Sequence, residues 1–454
     1  MKRGVRAKAR DLRLAALGLA TGLLSYFLGR ALLAAIHLTT NLLFHGAVSL
    51  ADQPPSGRLP WWAALVPALG GLAIGLVARY ASPAVRGHGI PEMIETVLAG
   101  ESKVPLKVAV LKPLCSALSI GSGGPFGAEG PVIGLGGSLG SLLGQWLSLG
   151  PWERKVLLAA GAAAGITAVF GCPVAATLLS LELLLYEFSL RSIAVVGLAA
   201  AVSGGLHTAL LGPAPLFPVG AVAPAPWGAL LLYTALGVPL GLAALGITKL
   251  VELMERAYKK LPFHWMWWPA LGGLVVGLVG LWQPRAFGPS YGSINDTLDG
   301  RLAAWALLSF AGVKLFVWSQ ALGSGTTGGT LAPLFGIGAG VGSLLVTLCA
   351  LAAPALGLDP RYGAMVGMAG VFTGCSYAPL ASIALVLETT HCLEAALPLL
   401  GCCALAALVC RLLREHSLMT EGPAKRGVRF PFGDHGTLSG PPKNREGGTA
   451  QTAG

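Results

Sequence analysis

Three segments of the chain share one physical form: glycines and a proline placed just ahead of an apolar helix. They are Gly87-His88-Gly89-Ile90-Pro91-Glu92, Gly121-Ser122-Gly123-Gly124-Pro125-Phe126-Gly127-Ala128-Glu129-Gly130-Pro131 and Gly328-Gly329-Thr330-Leu331-Ala332-Pro333. Proline suits the first helical turn and glycine frees the backbone amides. Such a start aims several unpaired N–H groups and a partial positive charge at one spot. Converging starts make an anion site without any full cationic charge. The second segment also places one acid, Glu129, among glycines in an apolar stretch. A bare carboxylate there is costly, so it must be protonated, stand in for an anion or face water. A fourth segment, Ser417-Leu418-Met419-Thr420, precedes the C-terminal tail.

The rest of the chain must hold these segments together. It has 454 residues, 54% of them hydrophobic and 11% charged, against about 25% charged in an average soluble chain. Mean hydropathy is +0.70. This composition excludes a set of soluble domains and predicts an all-α polytopic membrane protein. The net charge of +11 is concentrated near the two ends, at Lys2, Arg3, Arg6, Lys8, Arg10 and Arg13 and at Lys425, Arg426, Arg429, Lys443 and Arg445. Basic ends around an apolar body predict cytoplasmic termini, and no nucleic-acid partner. The first apolar run outlasts a signal-peptide core and reads as a retained membrane helix. The eight cysteines lie mostly in apolar runs without CxxC pairs and read as packing residues. No metal cluster, nucleophile–base pair or nucleotide motif is visible, so neither an enzyme nor a cofactor is expected.

Apolar segments follow one another at 14–49, 61–79, 104–120, 131–149, 156–186, 192–211, 228–254, 266–282, 302–322, 333–356, 363–373, 379–390 and 394–413. Several are shorter than the ~20 residues a straight span needs. With 65 glycines in the chain, tilted, broken and re-entrant helices are expected, tolerated at membrane depth only where protein or a cavity covers them. The chain also repeats itself. Gly121, Gly123, Gly127, Pro131, Gly134 and Gly140 recur at one offset as Gly323, Gly325, Gly329, Pro333, Gly336 and Gly342. Pro173 leading to Glu182 recurs as Pro379 leading to Glu388. Duplicated halves are a transporter and channel signature, with the solute site at the repeat interface. The expected organisation is a basic N-terminus (1–13), repeat 1 (14–210), a linker (211–227), repeat 2 (228–410), a last helix (411–427) and a disordered tail (428–454). The basic residues Arg256, Lys259 and Lys260 close a run that starts after an uncharged connector. That charge pattern points to inverted rather than parallel halves.

The four segments, in this order and across such a repeat, resemble the anion-binding motifs of the CLC family of chloride channels and chloride/proton antiporters. The resemblance covers about residues 14–427 and is to bacterial-type members, without cytoplasmic nucleotide-binding modules. It implies the CLC inverted repeat, a homodimer with one pore per subunit in the cell (inner) membrane, and chloride as the transported ligand. By resemblance Glu129 is the gating glutamate, although the family's preceding basic residue is Ala128 here. Gly87, His88, Gly89 and Ile90, with Gly130, Thr330 and Leu331, align with residues that line or hold the anion. His88 replaces a serine, Leu331 replaces a phenylalanine and Met419 stands where the family has a tyrosine. The central site therefore loses two hydroxyl donors; the His88 ring can donate through an N–H and titrate, or its backbone alone lines the pore while the ring points elsewhere. Family antiporters use a glutamate one residue after Glu182, and here that residue is Leu183. Glu182 and Glu187 remain as candidates for a proton pathway. Both Glu182 and Glu388 also read as acids paired at a helix end. With Leu183 and Met419 in those places, the leading expectation is channel-like, passive chloride conduction gated by Glu129. The alternative is a proton-coupled chloride or fluoride antiporter.

Overall fold

A computed structural model describes residues 2–431 of the chain. The part of the expected disordered tail beyond them lies outside the described residues. Repeat 1 is built from α1 (Lys2–Thr40), α2 (Leu65–Tyr80), α3 (Ile90–Leu98), α4 (Leu106–Gly121), α5 (Glu129–Trp146), α6 (Pro151–Phe170), α7 (Pro173–Leu179) and α8 (Leu190–Leu211). Repeat 2 follows with α9 (Trp227–Ala235), α10 (Gly237–Lys259), α11 (Trp268–Trp282), α12 (Tyr291–Leu298), α13 (Ala304–Gly323), α14 (Leu331–Ala352), α15 (Pro360–Ser376), α16 (Pro379–Thr390) and α17 (Ala396–Leu413). The chain ends its described course in α18 (Glu421–Lys425). The expected last helix over 411–427 is thus not one helix. Residues 414–420 leave the helical path, and only five residues re-form a turn. Helix α1 in turn begins well before residue 14, so the basic N-terminus is largely helical.

Among the described residues, eight stretches are long and apolar enough to cross a membrane, among them Lys8–His45, Leu190–Leu211 and Leu331–Ala352. Exposed tryptophans stand at helix ends, including Trp61, Trp227, Trp282 and Trp305, as in the aromatic belts of membrane proteins. Helices α3 and α12 have nine and eight residues and are far too short to span.

The two halves exchange reciprocal contacts. A Cβ on Gly71 would strike the Pro269 carbonyl, and one on Gly273 the Pro67 carbonyl. Gly75 meets Met266 in the same way, and Gly277 meets Ala64. Each pair is the other shifted by the offset of the sequence repeat, which is what a two-fold relation between halves requires. Their opposite orientation follows from a chain of ion pairs at one end of the molecule. Arg10, near the start of α1, meets Glu153 at the start of α6 at 2.6 Å. Arg154 meets Glu101, just past α3, at 3.8 Å. Arg426 meets Glu95 on α3 at 2.6 Å, and Lys425 meets Glu252 near the end of α10 at 3.4 Å. So α1 begins and its repeat-mate α10 ends on one basic face.

The glycines have a second use that composition alone did not expose. Gly136 on α5 and Gly161 on α6 touch backbone to backbone, as do Gly338 on α14 and Gly367 on α15. Small residues at such crossings let membrane helices approach closely. All eight cysteines are free, and seven are buried.

Candidate functional site

Three helices start at one place. Helix α3 starts behind Gly89, whose φ of +92° only glycine adopts without strain. Its amide donates to Glu92 Oε2 at 2.8 Å, which closes the first turn. Helices α5 and α14 start at the repeat-related residues Glu129 and Leu331. Their leads are paired: Gly127 N donates to Gly329 O at 3.2 Å, and Gly329 N to Gly127 O at 2.8 Å. The α3 start lies against the α5 start, because a Cβ on Gly89 would come within 2.6 Å of the Gly130 carbonyl. Ile90, Gly130, Thr330 and Leu331 are buried at this junction. The segments read from sequence as converging helix starts are therefore brought together.

Glu129 is fully buried, at 0% exposure. Its carboxylate folds back over the glycines, so that a Cβ on Gly127 would collide with it and one on Gly329 would lie 2.5 Å from Oε2. The Tyr291 hydroxyl donates to Glu129 Oε1 at 3.2 Å. Glu129 Oε2 is buried with no hydrogen-bond partner among the described residues. Tyr291 opens α12, the repeat-mate of α3, and its ring packs on Phe217 and Phe170 with centroids 5.7 and 6.4 Å apart.

Two buried lysines complete the support. Lys314 on α13, 1% exposed, donates to the Gly288 carbonyl and, at 3.4 Å, to that of Ala286. It thereby fixes the loop that presents Tyr291. Its repeat-mate Lys112 on α4 meets Glu92 Oε2 at 3.7 Å and supports the α3 start. Charged residues at matching places inside the apolar segments 104–120 and 302–322 were the signal for both. Tyr291 carried a weaker one: the repeat offset sets Pro289-Ser290-Tyr291 opposite Gly87-His88-Gly89.

Met419 is fully buried. The Thr330 hydroxyl reaches its Sδ at 4.0 Å. Met419 sits in a turn, where Ser417 N donates to Thr420 Oγ1 at 2.9 Å. This turn is strapped to α10 by Arg414, which pairs with Glu252 and, at 3.0 Å, with Glu421.

Two cavities adjoin the segments that make up this centre. One of about 350 Å³ opens at the basic face and is lined by Arg86, Gly87, His88, Glu92, Glu252 and Arg426, among others. The other, about 520 Å³, is lined by Asp52, Pro54, Arg285, Phe287 and Asp296 and ends on Tyr291.

Glu182 and Glu187 are not drawn into this centre. Glu182 accepts from Ala381 N at 2.9 Å and Leu380 N at 3.3 Å, at the start of α16. Glu388 accepts from Ala175 N at 2.6 Å and Val174 N at 3.1 Å, at the start of α7. Each acid thus caps a helix of the other half, where it meets the partial positive charge of the helix start. Glu187 accepts from Ser192 Oγ at 2.8 Å and Trp152 Nε1 at 3.3 Å. Burial alone would push its carboxyl up, but the Ser189, Ser192 and Trp152 hydrogen bonds and the Lys155 charge hold it below the usual range.

Buried helix starts around a gate-like carboxylate, inside an inverted repeat, can be compared with known proteins. The family described as voltage gated chloride channel matches residues 70–411. The chain belongs to this family, the CLC family. It is 30% identical over 380 residues to the H(+)/Cl(-) exchange transporter ClcA of Yersinia pseudotuberculosis, covering 81% of this chain and 78% of that one. It is 30% identical over 405 residues to the H(+)/Cl(-) exchange transporter ClcA of Salmonella paratyphi B, covering 86% and 84%. A chloride channel protein of Ralstonia nicotianae, described as ClcB-like, is 31% identical over 372 residues, covering 76% and 82%. Among solved structures, a slow cyanobacterial Cl-/H+ antiporter superposes with a TM-score of 0.82 at 23% identity, covering 92% of this chain and 98% of that one. A CLC-type fluoride/proton antiporter gives 0.73 at 22%, covering 90% and 98%. At these identities the structural likeness carries the fold. This CLC protein is an integral membrane protein with the inverted repeat of its family.

Proposed function

We propose that this CLC protein exchanges a small anion, chloride or fluoride, for protons, with Glu129 carrying the proton and closing the anion path. The observation that carries the reading is the placement of Glu129. It is a fully buried acid at converging helix starts, and its Oε1 accepts from the Tyr291 hydroxyl of the other repeat. In the closed form its carboxylate occupies the place of an anion among the amides of α5 and α14. Protonation removes its charge, weakens its hold on those amides and frees the place for an anion. One acid then serves both ions in turn, which is the minimum an exchanger needs. The exchange transporters among the relatives, matched over most of the chain, favour this reading over passive conduction. Gly87, His88, Gly89, Ile90, Gly130, Thr330, Leu331 and Met419 line the anion path. The unit is a homodimer with one path per subunit, in the cell (inner) membrane with both termini cytoplasmic.

A second reading, a passive channel gated by Glu129, rests on Leu183. That side chain is apolar and buried and offers no proton site where family antiporters have an acid. Purified protein in liposomes separates the two. Under antiport, an imposed chloride or fluoride gradient drives protons against their own gradient. Under channel conduction the same gradient moves anions, and protons do not run uphill.

A further inference from the structure

A group that relays protons from the inner cavity to Glu129 would speed antiport. Leu183 is apolar and buried, and Glu182 is engaged by the Leu380 and Ala381 amides at the start of α16. His88 has the required placement. It is half-buried and lines the cytoplasmic cavity. Its Nδ1 is buried with no hydrogen-bond partner among the described residues, as is Glu129 Oε2. The His88 backbone packs against that of Gly130. A Cβ on Gly130, the neighbour of Glu129, would strike the His88 carbonyl.

We infer that His88 is the inner proton carrier of this exchanger, passing protons from water in the cytoplasmic cavity to the Glu129 carboxylate. The inference rests on the antiport reading. For each proton carried, a hydronium in the cavity gives its proton to the ring and becomes water, and the imidazolium then gives a proton to the carboxylate. In the first transfer an O–H bond breaks as an N–H bond forms. In the second an N–H bond breaks as an O–H bond forms on Glu129, which becomes neutral while the ring returns to its neutral form. Imidazole suits the task because its charge changes near neutral pH and it has two nitrogens to load and unload.

Burial is the largest influence on the ring and disfavours its charged form; Glu92 in the first turn of α3 favours that form, while Lys112 from α4 and Arg426 from the C-terminal strap oppose it. Arg86 adds a further positive charge at the cavity wall. Across the cavity α10 presents Glu252, Glu255 and Lys259, and the strap presents Glu421 with Lys425. The last two pair with each other at 3.0 Å. The ring therefore favours its neutral form, the form that can accept a proton from the cavity. Protons and anions then enter by the same inner mouth.

The test is the proton-to-anion ratio in liposomes, for wild type, His88→Gln and His88→Ala. Glutamine keeps bulk and a hydrogen-bond donor but does not titrate. The inference expects the ratio to fall by about tenfold or more in both variants, in line with the loss of a placed acid–base group. Imidazole at the inner face should restore proton uptake to His88→Ala and leave His88→Gln unchanged. A wild-type ratio in His88→Gln overturns the inference. If His88→Gln loses both fluxes, the imidazole arm decides: restored proton uptake supports the carrier, and none overturns it. Wild type that moves no protons uphill fails the antiport reading first, and this inference with it. Coupled wild type with a normal His88→Gln ratio fails this inference alone.

Discussion

The Tyr291 hydroxyl donates to Glu129 Oε1 at 3.2 Å, joining the acid of one repeat to a donor of the other. The two residues open α12 and α5, and Lys314 holds the loop in front of Tyr291 through the Ala286 and Gly288 carbonyls. The contact crosses the two-fold, so under the proposed gating role of Glu129 anything that shifts one half against the other acts on the gate.

Removing that donor should loosen the gate. A hydrogen bond to a charged group is worth about 1.5–3 kcal/mol, so Tyr291→Phe should shift the closed–open balance by roughly ten- to a hundredfold. Anion flux at neutral pH should rise, and the half-maximal point of its pH profile should move to higher pH. The check is flux against pH for both proteins in liposomes. An unchanged profile would show that Tyr291 does not hold the closed state.

Gly127→Ala should have a related effect by a steric route. The added Cβ would land on the Glu129 carboxylate, so the acid cannot rest in its closed position. Flux should become nearly insensitive to pH while the protein remains folded, read by its elution as a single species in detergent. Retained pH sensitivity would mean that Glu129 rests elsewhere.

Glu182 and Glu388 should behave as a matched structural pair. Replacing either by glutamine weakens two charge-assisted bonds to a helix start, at an expected cost of about 1–3 kcal/mol each. Thermal unfolding in detergent should fall by similar amounts for Glu182→Gln and Glu388→Gln, with the proton-to-anion ratio unaltered in the survivors. A Glu182→Gln protein of normal stability and lost coupling would return Glu182 to the proton path.

Met419→Tyr should strengthen the central anion site. A hydroxyl donor beside Thr330 adds about 0.5–1.5 kcal/mol net, or roughly two- to tenfold in affinity. Titration calorimetry on a Glu129→Gln background isolates this from gating. Equal affinity with and without the hydroxyl would place residue 419 off the anion path.

Much of this site was legible before any coordinates. The glycine–proline leads at Gly89, Gly127 and Gly329 pointed to helix starts because few other patterns expose so many amides. Glu129 stood out as an acid in an apolar run, and the repeat offset already paired it with Leu331. Tyr291 was missed because α12 is eight residues long and polar, with Asn295 and Asp296, so no apolar segment marked it. The 156–186 run hid a break, since Gly171 and Cys172 separate α6 from α7 without a loss of hydrophobicity. The strap after α17 departs from the single helix that the sequence suggests over 411–427. Its course depends on Arg414 reaching Glu252 and Glu421, contacts that no local pattern encodes. Glu182 was legible only as one of a pair with Glu388, because the amides that hold it belong to the other repeat.

The most direct test of the central claim records anion and proton fluxes together in liposomes, for wild type and Glu129→Gln. The account predicts that an outward anion gradient drives uphill proton uptake at a fixed ratio in wild type. In Glu129→Gln, anion flux should persist, lose its pH dependence and carry no protons. Proton uptake that survives in Glu129→Gln at the wild-type ratio would contradict the account, because the buried carboxylate would then not be the group through which the two ions meet.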